Sequence, residues 1–420
     1  MHYEDIDMDQ CCNIFIDEME KGLAGEQSSL QMIPTYIEVD KEIPTDKPVV
    51  VLDAGGTNFR AATVYFDKKL KPTIQSFTQH PMPGLNGEVS KEEFFRTIAG
   101  YITGVCDISD RIGFCFSYPT EILPSKDGRL SRFCKEVRAK EVEGELIGEN
   151  LVSALSAAKG GGSKRIVILN DTVAALLAGI SAFQNKAFDS FIGFILGTGS
   201  NCCYIESNRN ITKKSDLNSD KEQVINIESG SFGKAPRGTI DLKLDESTFD
   251  PGRYTFEKMF SGAYFGTLCL KALQEAGRQG LFSKTMTDEL LTIVDFKTKN
   301  VNNFMRYPQG GNPLAVSCSK ATEQDCASVW YVLDGLLERA AKLVAVLLSS
   351  VVLKTDKGKN PCVPICITAE GTTFYELKSL KTKVDFFLAS FLEEKHNRFA
   401  DIVSVENATL IGAAIAGLTN

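Results

Sequence analysis

Two segments in different halves of the chain share one pattern: an apolar strand, a turn rich in glycine and threonine, an asparagine, and a second strand. The first reads VLDAGGTNFRAATVYF (51–66) and the second reads FILGTGSNCCYIE (194–206). Apolar runs bounded by glycine turns are typical of buried strands. The repeated pattern predicts two phosphate-binding turns that face each other across a cleft. Each turn, taken alone, is also compatible with a plain hairpin.

The first of these strands ends in a carboxylate, Asp53, which comes directly before the turn that contains Gly55 and Gly56. Adjacent glycines expose backbone N–H groups, and a run of such groups binds anions. A carboxylate beside an anion site requires a cation between the two. Mg²⁺ on a nucleotide phosphate meets this requirement because it needs only one or two protein carboxylates, often through water. We therefore predict that Asp53 holds Mg²⁺ through water; the alternative is an aspartate that only caps the turn.

Composition narrows the class of protein. A chain of 420 residues suits two domains or one elaborate α/β unit. A formal net charge of -8 argues against a general nucleic-acid binder, which needs a basic face. The cysteines include no C-x-x-C pair, so no zinc site is indicated and reduced thiols are expected. The acidic opening MHYEDIDMDQ and the short apolar segment LVAVLLSSVVL (343–353) lead us to expect a cytoplasmic protein without signal peptide or membrane contact.

The predicted elements alternate along the chain as in an α/β protein. Strands are predicted at VVVLD (49–53), RAATVYF (60–66), RIGFCFS (111–117), RIVILN (165–170), FIGFILG (191–197), NCCYIES (201–207) and VPICIT (363–368). Helices are predicted at about 92–105, 145–158, 172–184, 256–275, 321–353, 384–395 and 406–420. Neither glycine turn matches the P-loop pattern or a G-x-G-x-x-G that opens a helix, so both of those nucleotide-binding folds are excluded.

Six segments, in order, resemble the signature segments of the hexokinase family. They are LDAGGTNFR (52–60), FSYP (116–119), LNDTVAALLAG (169–179), LGTGSN (196–201), INIESGSFG (225–233) and DPGRYTFEKMFSGAYFG (250–266). The resemblance runs from about Val49 to Gly266 and continues weakly to the C-terminus. It implies an α/β, two-domain actin-like ATPase (ribonuclease H-like) fold of the hexokinase type with an interdomain cleft. The small domain would comprise 49–170 plus 406–420, and the large domain 1–48 plus 171–405.

The resemblance also implies an activity, the phosphorylation of a hexose by Mg-ATP at the 6-hydroxyl, with glucose as the simplest substrate. Asp171 would accept the hydroxyl proton as the general base. The implied hexose contacts are Ser117, Lys135, Asn170, Asp171, Asn201, Glu228 and Glu257. The implied contacts to the ATP phosphates are Gly55, Gly56, Thr57, Asn58, Arg60, Gly197, Thr198 and Gly199. AEGTTFY (369–375) is similar to the adenosine loop of the family, which adds Gly371 and Thr372.

Plainer roles exist for several of these residues. Asp171 could cap the helix that follows it, Glu257 could face solvent on a predicted helix, and Arg60 could pair with a surface carboxylate. For the whole chain the alternatives are a sugar- and nucleotide-binding regulator with little turnover, an N-acetylhexosamine kinase, and an actin- or chaperone-like ATPase. The last gives no reason for a convergence of Asn201 with Glu228. If the contacts lie on two domains, we expect an open cleft that closes on the sugar. The oligomeric state, monomer or homodimer, is left open.

Overall fold

The structure is a computed structural model of the chain, and it describes residues 2–133, 137–159, 163–183 and 186–420. Lys135, which was predicted to contact the hexose, lies outside the described residues. Strands and helices alternate, as the α/β prediction requires. Across the described ranges, no helix combines the length and the apolar character that a membrane crossing demands.

In the part of the chain that the structure describes, the strands form two main sheets and a small hairpin. They are β1 (Ile33–Pro34), β2 (Val49–Ala54), β3 (Asn58–Phe66), β4 (Pro72–Pro81), β5 (Arg111–Phe116), β6 (Thr120–Ile122), β7 (Gly128–Leu130), β8 (Arg165–Leu169), β9 (Ser190–Leu196), β10 (Ser200–Ser207), β11 (Glu222–Asn226), β12 (Ile365–Glu370) and β13 (Ala400–Val403). A five-stranded sheet has the order β4-β3-β2-β5-β8, and a six-stranded sheet has the order β1-β11-β10-β9-β12-β13. Each sheet therefore contains one of the two strand-turn-strand units.

All seven predicted strands are present, with ends that differ by no more than two residues from those predicted. The strands that the sequence analysis did not predict include β4 and β11. β4 lies at one edge of its sheet and is largely exposed, so its sequence PTIQSFTQHP carries no apolar run. β11 follows a polar segment, and its apolar centre consists of only Val224 and Ile225, which is too short to predict a strand. The predictions were therefore correct where burial dominates the composition of a strand.

The helices pack on both sheets. They are α1 (Met8–Ala24), α2 (Lys91–Ile102), α3 (Ile147–Lys159), α4 (Asp171–Ala182), α5 (Thr239–Glu246), α6 (Phe265–Arg278), α7 (Lys284–Thr292), α8 (Thr298–Arg306), α9 (Pro313–Cys318), α10 (Glu323–Thr355), α11 (Thr372–Glu376), α12 (Leu380–Leu388) and α13 (Ala408–Thr419). The predicted helix at 384–395 is divided, because α12 ends at Leu388 and a π-helix follows at Ala389–Lys395.

The single helix predicted at 256–275 is wrong. The chain instead forms a 3₁₀ turn at Glu257–Met259, and α6 begins only at Phe265. The reason lies between them, where the backbone N–H of Gly262 donates to the carbonyl of Gly197 at 2.8 Å. This bond ties the segment to the second glycine turn, so a continuous helical hydrogen-bond ladder does not form.

The two sheets have separate apolar cores, and α4 and α13 lie between them. Val50 and Phe114 belong to the core of the five-stranded sheet, whereas Phe194 belongs to that of the six-stranded sheet. A third cluster joins residues from both sheets to α4 and α13. The division into 49–170 plus 406–420 and 1–48 plus 171–405 stays a prediction.

Helix α13 crosses α4 at backbone contact because glycine occupies the crossing point. A Cβ atom added at Gly412 would overlap the carbonyl oxygen of Ala174, and one added at Gly113 of β5 would overlap the carbonyl of Ala413. A Cβ at Gly193 of β9 would likewise overlap the carbonyl of Thr172. Each helix thus touches the backbone of a strand from one sheet, and the two helices together fix the distance between the sheets.

We predict that Gly412→Ala lowers the free energy of unfolding by about 1–3 kcal/mol or more, because the added methyl group forces α13 away from α4. Gly100→Ala is the matched control. Gly100 lies in α2, is exposed, and has no atom within 4 Å of the position that a Cβ would take, so alanine should raise the free energy by about 0.5–1 kcal/mol. Denaturant unfolding of both variants measures the two effects. Equal stability of Gly412→Ala and wild type would contradict the close crossing.

Candidate active site

Polar side chains gather where the three parallel strands of the five-stranded sheet end. β2 runs parallel to β5, and β5 runs parallel to β8. The register places Asp53 beside Cys115, and Cys115 beside Leu169. Asp171 follows Leu169 by two positions in the chain. Since the carboxyl ends of parallel strands meet at one sheet edge, these residues share that edge.

The pKa of the Cys115 thiol is affected by both aspartates. Burial raises its pKa well above the ordinary value, and the negative charges of Asp53 and Asp171 raise it further. A thiolate is disfavoured by a nearby carboxylate, so both carboxylates must act on the same group. Asp53 and Asp171 therefore both lie close to one buried thiol.

The carboxylate of Asp53 is almost fully buried, with 1% of the residue exposed. The Arg60 guanidinium lies 2.6 Å from its Oδ2 atom, and the Thr409 hydroxyl donates to the same oxygen at 3.0 Å. Arg60 is the antiparallel cross-strand partner of Asp53. Arg60 therefore pairs with a buried carboxylate of the site and not with one on the surface.

Asp171 is the first residue of α4, and the cap of that helix is Asn170. The Asn170 side chain accepts hydrogen bonds from the Thr172 backbone N–H at 3.0 Å and from the Thr172 hydroxyl at 2.6 Å. Asp171 Oδ1 also accepts from the Thr172 N–H, at 2.9 Å. The interpretation of Asp171 as the helix N-cap is therefore wrong.

The Asn201 side chain joins the ends of both sheets. Its amide nitrogen lies 3.3 Å from Asn170 Oδ1, 2.8 Å from Asn226 Oδ1 and 3.3 Å from Glu228 Oε1. Its carbonyl oxygen accepts from the backbone N–H groups of Cys202 and Ser229. These bonds fix the orientation of the Asn201 amide and bring three of the predicted hexose contacts together.

Sequence reasoning did not single out Asn226, although a signal for it exists. Asn226 Nδ2 donates to Glu228 Oε1 at 2.9 Å. Asn226 is the last residue of β11, and Glu228 follows it by two positions where the chain leaves the strand, so two polar residues come together at one strand end. The INIE segment therefore contained both members of the pair.

Glu228 occupies a conformation that non-glycine residues rarely adopt, with φ 58° and ψ 48°. Burial raises the pKa of its carboxyl group, the negative charge of Asp171 raises it further, and the amides of Asn226 and Asn201 oppose both effects. Asp171 follows Asn170 directly, and the Asn201 amide nitrogen lies 3.3 Å from both Asn170 Oδ1 and Glu228 Oε1, which brings the two carboxylates to the same site. A strained backbone that holds a half-buried carboxylate near a second one is typical of a functional site.

Glu257 reaches the second glycine turn from the 3₁₀ turn at Glu257–Met259. Its Oε2 atom accepts from the backbone N–H of Ser200 at 2.8 Å. Cβ atoms added at Gly199 and Gly230 would lie 2.8 Å and 2.9 Å from the same oxygen. Glycine is therefore required at both positions for the carboxylate to enter, and Glu257 does not lie on a solvent-facing helix as the alternative supposed.

The first glycine turn is held by backbone and by Tyr118. The Gly55 N–H donates to the carbonyl of Asn58 at 3.0 Å, and the Tyr118 hydroxyl donates to the carbonyl of Gly55 at 2.8 Å. Thr57 and Asn58 are exposed at its tip. Tyr118 is adjacent to Ser117 in the FSYP motif. The backbone N–H of Ser117 donates to the Ala54 carbonyl at 3.1 Å. The motif therefore supports the turn as well as supplying Ser117.

The second glycine turn leads into a cavity. The Thr373 hydroxyl and the Gly262 N–H both donate to the carbonyl of Gly197 at 2.8 Å. Thr198 and Thr372 line an adjoining cavity of about 510 Å³, a size that suits a small-molecule ligand. Gly371 has φ 114° and packs directly on the Leu196 carbonyl. The two predicted adenosine-loop residues thus lie beside the predicted phosphate turn.

The donor set fits Mg²⁺ held on a phosphate better than a metal bound by protein alone. Among the described residues, no group of three or more histidine, cysteine, aspartate or glutamate side chains could hold a metal ion. Mg²⁺ keeps several waters and takes one or two carboxylates together with substrate phosphates. Asp53 lies directly before the first glycine turn and is the carboxylate predicted to serve such an ion.

Comparisons with known proteins agree on one family. A family model described as Hexokinase matches residues 1–181, and a second with the same description matches residues 191–419. Human Hexokinase-3 is 28% identical over 379 residues, which cover 85% of this chain and 39% of that protein. Human Hexokinase-1 is 26% identical over 384 residues, which cover 86% of this chain and 41% of that protein. The chain therefore spans about 40% of the length of these relatives.

Solved structures give the same answer for the fold. A hexokinase from Schistosoma mansoni complexed with glucose has a TM-score of 0.78 and 22% identity, covering 98% of this chain and 96% of that chain. A second hexokinase structure has a TM-score of 0.75 and 21% identity, with the same coverage. The fold is therefore the two-domain α/β fold of hexokinases. Because one matching family model alone covers more than half of the sequence, the chain belongs to the hexokinase family.

Proposed function

We propose that this chain transfers the γ-phosphoryl group of Mg-ATP to the 6-hydroxyl of a hexose, with glucose as the first candidate. Membership of the hexokinase family supports the reaction class. The related structure from Schistosoma mansoni, which is a complex with glucose, supports the choice of sugar. An N-acetylhexosamine, a regulator without turnover and a sugar-independent ATPase are the outcomes that an assay must separate.

The observation that carries the proposal is the convergence of Asp171, Asn201 and Glu228. A hexose presents neutral hydroxyl groups that both donate and accept, so its site needs carboxylates and amides from several loops. Asn201 is hydrogen-bonded to Asn170 and Glu228, and the charge of Asp171 acts on Glu228. Such a group of amides and carboxylates suits a sugar and has no use in an enzyme that only hydrolyses ATP.

In the proposed reaction Asp171 accepts the proton of the hydroxyl that attacks phosphorus. Asn170, Asn201, Glu228 and Glu257, together with Ser117 and Lys135, hold the remaining hydroxyls and orient the sugar. The Thr172 N–H donates to Asp171 Oδ1, and this bond holds the carboxylate in one orientation. Because the carboxylate is already oriented, a bound hydroxyl can transfer its proton within the complex. The step is then effectively unimolecular.

The two glycine turns would hold the nucleotide. Gly56, Thr57 and Asn58 would offer N–H and side-chain groups from one sheet, and Thr198 and Gly199 from the other. The Gly55 and Gly197 N–H groups bond within their own turns, at 3.0 Å to the carbonyls of Asn58 and Gly199, so these two glycines would shape the phosphate turns. Asp53 would hold Mg²⁺ through water, and bound Mg²⁺ neutralises phosphate charge. Arg60, whose guanidinium lies 2.6 Å from Asp53 Oδ2, would contact a phosphate in addition to this carboxylate.

We further propose that the sugar closes the cleft between a domain of 49–170 plus 406–420 and a domain of 1–48 plus 171–405. Ser117 and Asn170 belong to the first of these, and Asn201, Glu228 and Glu257 belong to the second. The contacts from both can be made together only when the cleft is shut, so part of the sugar-binding free energy drives closure. Closure on demand limits the transfer of phosphate to water.

A coupled assay of ADP release over a panel of hexoses and N-acetylhexosamines tests the reaction class directly. We expect ADP release that depends on a hexose with a free 6-hydroxyl. Release that requires an N-acetylated sugar would replace the substrate. Hexose binding without ADP release would favour the regulator, and ADP release independent of sugar would favour the ATPase.

We predict that Asp171→Asn lowers kcat by about 10²- to 10⁴-fold while the hexose dissociation constant changes little, because the variant keeps the shape and loses the proton acceptor. Asp127→Asn is the matched control. Asp127 accepts from the Gly148 and Glu149 N–H groups at the start of α3, so it stabilises a helix start in the same way without lying at the site. Similar turnover in both variants would show that Asp171 has only a structural role.

Asp53→Asn should weaken the response to Mg-ATP and leave hexose binding nearly intact, because the carboxylate precedes the phosphate turn. We expect the KM for Mg-ATP to rise by at least about tenfold. The amide can still accept from Thr409, which limits the loss of stability. Calorimetric titration with the hexose alone is the control, and loss of hexose affinity in that titration would refute the magnesium assignment.

The raised pKa of Glu228 predicts a pH dependence of hexose affinity. The carboxylate is the form that accepts sugar hydroxyls, and it is lost as pH falls through the raised pKa. The KM for hexose should therefore begin to rise at a higher pH than an ordinary glutamate would cause. Stability has the opposite sign, since a raised pKa in the folded state means that ionised Glu228 costs stability above that pKa.

Glu228→Gln should remove this step from the pH profile of KM and stabilise the fold at neutral pH. KM profiles of both proteins and their melting temperatures measure the two effects. An identical acid limb in the variant and the wild type would assign the titration to another group.

A further inference from the structure

Arg132 lies at the end of the small hairpin and is held to the five-stranded sheet by its two neighbours. The Ser131 N–H donates to the Pro119 carbonyl at 2.9 Å. The Phe133 ring lies 5.0 Å from the ring of Tyr118 and packs against the core of that sheet. The backbone of Arg132 is therefore fixed to this part of the molecule.

The loop between α5 and Glu257 is held to the six-stranded sheet by Lys258. This lysine is 2% exposed, and its Nζ atom lies 2.8 Å from Asp245 Oδ1 and 3.1 Å from Asp250 Oδ1. Asp245 also accepts from the Gly252 N–H at about the same distance from both of its oxygens, 3.1 Å and 3.0 Å. Since Phe256 and Met259 belong to the core of the six-stranded sheet, the loop is fixed to the other part of the molecule.

The Arg132 side chain joins these two parts. Its Nη2 atom is 4.0 Å from Asp250 Oδ2, and its Cζ atom is 5.4 Å from the centre of the Tyr254 ring. Tyr254 has a φ of 50°, in the left-handed region, and this conformation is maintained in a loop that Lys258 anchors. A guanidinium can pair with a carboxylate at its edge while its face lies on an aromatic ring, which an ammonium group cannot do equally well.

We propose that Arg132 is a positioning residue that latches the cleft shut when the hexose is bound, an inference that rests on the proposed function. Tyr254 precedes Glu257 by three residues, and Arg132 precedes Lys135 by three residues. The contact therefore joins the two segments that carry these predicted sugar contacts, one on each side of the cleft. Arg132 acts on the closed arrangement and not on the chemical step.

The strength of the latch follows from its exposure. The Arg132 side chain is 27% exposed and the ion pair is long, so solvent and salt weaken the attraction. The contact exists only when the two segments lie together. It therefore makes the free energy of closure more favourable. Its loss should appear as weaker hexose binding, because sugar-binding energy must then supply the missing part of that closure.

Arg132→Ala should raise both the hexose dissociation constant and the hexose KM by about 3- to 6-fold at low salt, with kcat at saturating hexose within about twofold of wild type. Arg132→Lys should recover part of the affinity, because it restores the charge without the planar stack. Added salt should weaken hexose binding of wild type more than that of Arg132→Ala. Arg96→Ala is the matched control, since Arg96 forms an exposed ion pair within α2 at 3.9 Å.

A double-mutant cycle with Tyr254→Leu tests the direct contact. The combined variant should lose less affinity than the product of the two single losses. Melting temperatures of all variants identify any that fail to fold, and Tyr254→Met, which also removes the ring, replaces Tyr254→Leu in the cycle if that variant unfolds.

The latch is refuted if Arg132→Ala keeps the wild-type hexose dissociation constant, or if its loss is additive with that of Tyr254→Leu. A fall in kcat without a change in KM would also refute it. Failure of the proposed function is distinguishable, because wild type itself would then phosphorylate no hexose in the same assay.

Discussion

The distance between the two sheets depends on one close contact, the crossing of α13 over α4 at Gly412. This crossing brings the helix that starts at Asp171 against the helix whose Thr409 hydroxyl binds Asp53. The position of these carboxylates relative to the other sheet therefore follows from the packing of two small-residue faces. If the helices stood further apart, the residues at the start of β10 and the end of β11 would not share one site with those at the ends of β2 and β8.

Bringing carboxylates together requires that each charge be compensated locally, and the structure uses different means for each. Asp53 is paired with Arg60, Asp171 lies at a helix start, Glu228 accepts from two asparagine amides, and Glu257 accepts from a backbone N–H. A guanidinium neutralises charge, whereas amides stabilise a carboxylate without removing its negative charge. The means of compensation thus differs between the carboxylate proposed to serve the metal and those proposed to serve the sugar.

The sequence predicted the parts of the fold that burial and glycine turns dictate. The seven strands, the start of α4 and the positions of both glycine turns were correct because their local composition leaves few alternatives. The helix at 256–275 was wrong because a tertiary bond to Gly197 overrides local propensity. Asn226, Tyr118 and Arg132 were not predicted, since their roles depend on partners that are distant in sequence or on which face a side chain occupies. Lys135 stays a prediction.

Cys115 has a consequence for the chemistry that this site tolerates. It is fully buried, and it lies close to the carboxylates of Asp53 and Asp171, both of which raise its pKa. Oxidants and alkylating agents react with thiolates far faster than with thiols. The negative charges of these carboxylates therefore favour the less reactive thiol form of the sulfur beside them. Cysteine is often a target of oxidation. At this buried position it can form part of the site without making the site sensitive to peroxide.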